Sequence, residues 1–212
     1  MQIDFAAYPA VLLDLDGTLF HDARPLPGAI ALVERLQRER VRFACLTNSG
    51  SSPQVVRQRL LAAGIDLPPG SIYTAATAAC DYIRSTLPRA GLARKPRIYH
   101  LVGESCAQLL DGLVDWVEQP DQPCDAVLVA SLDNPSVTPE RLFIALQLAR
   151  RGAEVIGLCA DRVYPSTRGM EFGAGALTLM LSYAAQVEPT FCGKPDPKFF
   201  TELCQHLQVA PA

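Results

Sequence analysis

Asp14-Leu15-Asp16-Gly17-Thr18 sets two carboxylates two residues apart at the end of the apolar run Val11-Leu12-Leu13. Gly17 lets the chain turn there, so both acids can converge on one pocket. In such a pair one carboxylate can attack phosphorus, while the other donates a proton to the leaving oxygen and later takes one from water. Clustered anions repel an incoming phosphate dianion, so this chemistry calls for a divalent cation and fixed positive groups, with magnesium suited to oxygen donors. Read alone, Asp14 to Gly17 would suit a turn or a fragment of a calcium loop. The apolar run ahead of it favours a sheet end, where open α/β sheets place their ligand sites.

Two further segments repeat this placement. Leu46-Thr47-Asn48-Ser49 follows a second apolar run, which puts the Thr47 hydroxyl and nearby backbone N–H groups where they can hold phosphate oxygens. By itself this segment would serve equally as a cap for a helix starting near Pro53. Gly193-Lys194-Pro195-Asp196-Pro197 follows a short third run, and its prolines restrict the backbone so that Lys194 is held at a strand's end. A lysine there can neutralise both a nucleophilic carboxylate and a phosphate. His21, His100 and His206 are isolated, no G-x-S-x-G occurs, and Gly173 and Gly175 lack a dinucleotide fingerprint.

The elements that must carry these residues alternate. Near-continuous apolar runs predict buried parallel strands at 11–16, 41–46, 72–74, 97–102, 126–130, 154–159 and 189–192. Helical periodicity predicts helices at 27–40, 53–63, 76–87, 139–151, 173–186 and 196–208. The pattern is that of an α/β protein with a Rossmann-like parallel sheet. Pro88 to Pro96, with its Gly, Pro, Arg and Lys, reads as a linker into a second α/β unit.

Bulk properties narrow the function classes. With 49% hydrophobic and 19% charged residues the 212-residue chain has the balance of a folded globular protein. A net charge of −3 without a Lys/Arg cluster argues against a nucleic-acid partner. Seven scattered cysteines without a C-x-x-C pair read as reduced, mostly buried thiols, which suits the cytoplasm. No signal-peptide pattern and no stretch of about 18 apolar residues is present, so no membrane partner is expected.

The set DLDGTL at 14–19 preceded by VLL, LTNS at 46–49 and GKPDPKFF at 193–200 resembles the haloacid dehalogenase superfamily of phosphohydrolases. The segments ADRVYP at 160–165 and GAGAL at 173–177 resemble its class IIA members, similar to p-nitrophenyl phosphatases and phosphoglycolate phosphatases. By that resemblance Asp14 would be the nucleophile and Asp16 the general acid/base, both on Mg²⁺. Thr47 would bind phosphate, Asn48 would help shape that site, and Lys194 would neutralise charge. Asp161 would face the reacting groups from a cap loop, and the substrate would be a small phosphorylated metabolite. The resemblance also implies a core at 1–77, an inserted α/β cap at 78–172 that selects the substrate, and a second part of the core at 173–212. Where family members often have Asn-Pro-Asp, this chain has Cys159-Ala160-Asp161.

Family members continue past the last helix with another strand and a Gly-Asp-x-x-x-x-Asp loop that binds magnesium. No Asp follows Asp196 here. The resemblance therefore implies a core incomplete at its C-terminus and a first strand left as an exposed edge, which invites homo-oligomerisation. It also leaves a second function open: a catalytically impaired protein that binds phosphate or a partner.

Overall fold

The computed structural model describes residues 3–21, 24–87, 94–132, 134–166 and 168–210. Most of the linker expected at 88–96 lies outside them. The first layer runs β1 (Val11–Asp14), β2 (Phe20–His21), β3 (Arg24–Pro25), α1 (Ala29–Arg38), β4 (Phe43–Thr47), α2 (Pro53–Ala62), β5 (Ile72–Thr74) and α3 (Ala75–Thr86). Its sheet is three-stranded and parallel in the order β1-β4-β5, and β2 and β3 form a separate antiparallel pair. All five residues of β4 are buried, as expected of a central strand covered on both faces. Ala29, Val33 and Leu36 form the buried face of α1, and the Ser52 hydroxyl caps α2 by accepting from Val55 N–H. Among the described residues β1 pairs only with β4, and Leu12 is exposed on it, so β1 is an outer strand of this sheet.

The second layer contains β6 (Arg97–Leu101), α4 (Glu104–Ala107), β7 (Asp115–Trp116), β8 (Ala126–Val129), α5 (Pro139–Arg150), β9 (Glu154–Gly157), β10 (Val163–Ser166), β11 (Gly169–Phe172), α6 (Ala174–Ala185), β12 (Thr190–Phe191) and α7 (Pro197–His206). Five strands form a parallel sheet in the order β12-β9-β8-β6-β7, and β10 and β11 make an antiparallel hairpin. This layer extends beyond the insert expected at 78–172. Leu177 and Leu181 of α6 are buried with Val127, Val129 and Val155, and β12 pairs with Ile156 and Gly157 of β9. Within the segment 173–212 expected as a second part of the core, α6 therefore packs on the second sheet and β12 joins it. α7 packs back on the first sheet, with Phe199 edge-on to Tyr73 of β5 at 5.0 Å.

One hydrophobic cluster joins the layers: Ala44, Leu46 and Tyr73 from the first sheet pack with Ile98, Leu128 and Ile156 from the second, and with Phe199 and Leu203 of α7. No helix among the described residues is long and apolar enough to cross a membrane.

Candidate active site

Strands from both sheets end at one place. Asp14 is the last residue of β1 and Thr47 the last of β4, Asp161 lies just beyond β9, and Lys194 just beyond β12. Gly17 has φ +79°, a left-handed conformation that a side chain would strain, and its N–H bonds to the Phe20 carbonyl to close the turn carrying Asp16. The Lys194 ammonium pairs with Asp14 Oδ1, and the Thr18 hydroxyl donates to Asp14 Oδ2 at 3.3 Å. The Asp14 side chain is 38% exposed, leaving it open to a solute. Thr47, fully buried, accepts from Ser49 N–H at 3.0 Å and donates to Asp16 Oδ2 at 2.9 Å.

The Asn48 amide spans the two layers. Its Oδ1 accepts from Lys194 N–H at 2.8 Å, while its Nδ2 donates to the Lys194 carbonyl at 3.1 Å and to Asp161 Oδ2 at 2.9 Å. Gly193 permits this approach, since a Cβ there would lie 2.6 Å from the Leu158 carbonyl oxygen and 2.7 Å from Asn48 Oδ1. Asp161 is fixed from behind by the start of α6. Gly175 N–H donates to its carbonyl at 3.0 Å, and a Cβ on Gly173 would meet that same oxygen at 2.3 Å. The Cys159 thiol lies 3.4 Å from Asp161 Oδ2, and burial pushes it up to about 12, so it stays protonated at neutral pH and can donate.

Of the six residues singled out from the sequence, Asp14, Lys194, Asn48 and Asp161 form one chain of short polar contacts, and Asp16 and Thr47 form a second pair at the same strand ends. Thr18 and Gly193 have no role of their own in the sequence reading. Thr18 and Gly193 lie inside quoted motifs, but a sequence motif does not display side-chain or backbone approach.

Asp14, Asp16 and Asp161 outnumber Lys194 among the side chains of this constellation, so a phosphate dianion would meet excess negative charge. Among the described residues no three His, Cys, Asp or Glu side chains gather as a metal cage. Magnesium is commonly held by one or two carboxylates with water and substrate phosphate completing the shell, and the donor set of Asp14 and Asp16 fits that use.

The family described as haloacid dehalogenase-like hydrolase matches residues 11–113. An acid sugar phosphatase of Staphylococcus epidermidis is 32% identical over 190 residues, covering 89% of this chain and 70% of that protein. The chain belongs to the haloacid dehalogenase-like hydrolases. Among solved structures, a mutant of thermostable p-nitrophenylphosphatase from Bacillus stearothermophilus superposes with a TM-score of 0.78 at 29% identity, over 96% of this chain and 76% of that one. The 4-nitrophenylphosphatase of Thermotoga maritima superposes with a TM-score of 0.83 at 25% identity, over 97% and 76%. This haloacid dehalogenase-like hydrolase is accordingly a phosphatase, with the layered α/β fold of its relatives.

Proposed function

We propose that the chain hydrolyses small phosphate monoesters through an aspartyl-phosphate on Asp14, with Mg²⁺ as its cofactor. The observation that carries this reading is the pairing of Lys194 with Asp14 beside the Asp16–Thr47 hydrogen bond, at the ends of strands from two sheets. An Asp14 carboxylate oxygen attacks phosphorus, and the bond from phosphorus to the ester oxygen breaks as Asp16 gives that oxygen a proton. Asp16 then takes a proton from water, whose oxygen attacks phosphorus, and the bond from phosphorus to Asp14 breaks to release inorganic phosphate. Lys194 offsets charge on Asp14 and the phosphoryl group. The Thr47 hydroxyl can rotate from Asp16 toward a phosphate oxygen. Bound at Asp14 and Asp16, Mg²⁺ would neutralise phosphoryl charge.

The staphylococcal relative is named an acid sugar phosphatase, which makes sugar phosphates the first candidates among small phosphorylated metabolites. Phosphate release should be assayed across p-nitrophenyl phosphate and a sugar-phosphate panel, with MgCl₂ and then with excess chelator. The reading expects turnover that the chelator removes and added Mg²⁺ restores. Release that ignores the chelator would contradict the cofactor, and no release from any ester would contradict hydrolysis.

A further inference from the structure

Asn48 has the wrong hydrogen bonds for a direct phosphate ligand and suitable ones for a different task. A side-chain amide has two N–H donors and one carbonyl acceptor. Both donors are in use, one on the Lys194 carbonyl and one on Asp161 Oδ2, and the acceptor receives Lys194 N–H. No N–H of this side chain is left for a substrate. The amide instead pairs with both polar groups of the Lys194 main chain, as a neighbouring strand would, and joins the end of β4 to the ends of β9 and β12.

From this geometry we infer that Asn48 is a positioning residue, which uses its bond to Asp161 as an anchor and seats Lys194 against Asp14; the inference rests on the hydrolytic reading above. The donor pattern is specific to an amide. A carboxylate of the same shape could still accept from Lys194 N–H, but it would set oxygen against the Lys194 carbonyl and a like charge against Asp161. An alanine would leave all three partners without the side chain.

Asn48→Asp and Asn48→Ala should each lower kcat/KM for p-nitrophenyl phosphate by about 10²-fold, the scale expected from an ångström of misplacement. The loss should fall mainly on kcat. In a Lys194→Ala background the same substitutions should cost within about 2-fold, because no ammonium remains to be seated. A readout without turnover is trace acetylation of Lys194, measured by mass spectrometry against exposed Lys95 in the same sample. The Lys194/Lys95 ratio should rise severalfold in Asn48→Asp.

A full loss persisting in the Lys194→Ala background, or an unchanged acetylation ratio, would overturn the inference. If Asn48→Ala fails to fold, the isosteric Asn48→Asp carries the test. If the wild-type chain releases no phosphate, the hydrolytic reading fails while the acetylation ratio still decides whether Asn48 seats Lys194.

Discussion

At the scale of single residues, the site depends on small groups that permit close approach as much as on the groups that react. Gly193 is the clearest case, because the atoms nearest its missing Cβ include the Leu158 carbonyl and the Asn48 amide oxygen, both parts of the framework that holds Lys194. Gly193→Ala should therefore push the Lys194 main chain away from Asn48 and lower kcat/KM by about 10²-fold. Steady-state assays beside thermal melts would check this, and wild-type activity in the variant would show that the approach is not needed. The polar residues that meet at these strand ends are legible in the sequence, since DLDG, LTNS and GKP each pair a polar type with an apolar run. Asn48 was legible only as part of a phosphate site. Its partners are Asp161 and Lys194, 113 and 146 residues away, and nothing local to LTNS encodes those contacts.

At the scale of elements, the apolar runs predicted every strand that enters the two parallel sheets except β7, which is two residues long. The β10–β11 hairpin was also missed. Pro165 interrupts its first strand and its apolar residues Val163, Met170 and Phe172 are exposed, so neither carries the pattern of a buried strand. Placement was harder than existence: β12 offers two residues, and its membership in the second sheet depends on pairing with β9.

The second sheet is fastened at the N-terminal ends of β6 and β8 by a forked ion pair. Arg94 gives Asp125 two bonds of 2.6 and 2.8 Å, and Arg97 N–H adds a third at 2.7 Å. The Arg94 guanidinium, with help from that N–H, holds the Asp125 carboxyl below the usual carboxylate range. A depressed folded-state value contributes stability above the unfolded value, and the contribution is lost as pH falls through the folded one. Arg94→Met should thus lower Tm at pH 7, and the gap to wild type should close in acid. Melts across the acid limb would test this, and a gap independent of pH would contradict it.

At the scale of the whole molecule, the two layers share a hydrophobic cluster and a site. Phe199 is completely buried in that cluster and anchors the helix after Lys194. Burying such a side chain contributes about 2–3 kcal/mol, more than the ~0–1 kcal/mol of a surface ion pair, so packing fixes where α7 returns to the first sheet. The α/β class could be read from alternating periods, whereas the way one sheet faces the other depends on contacts across most of the chain. Lys194 and Asp14, 180 residues apart, meet through that packing.

In the mechanism proposed here, this meeting point forms a covalent phosphoryl intermediate. The most direct measurement is an acid quench during turnover of p-nitrophenyl phosphate with Mg²⁺, followed by borohydride reduction and peptide mass spectrometry. Reduction of an acyl phosphate is expected at Asp14 alone, and both the trapped species and turnover should be lost in Asp14→Asn. Turnover without a trapped acyl phosphate, trapping at another residue, or wild-type rates in Asp14→Asn would contradict it.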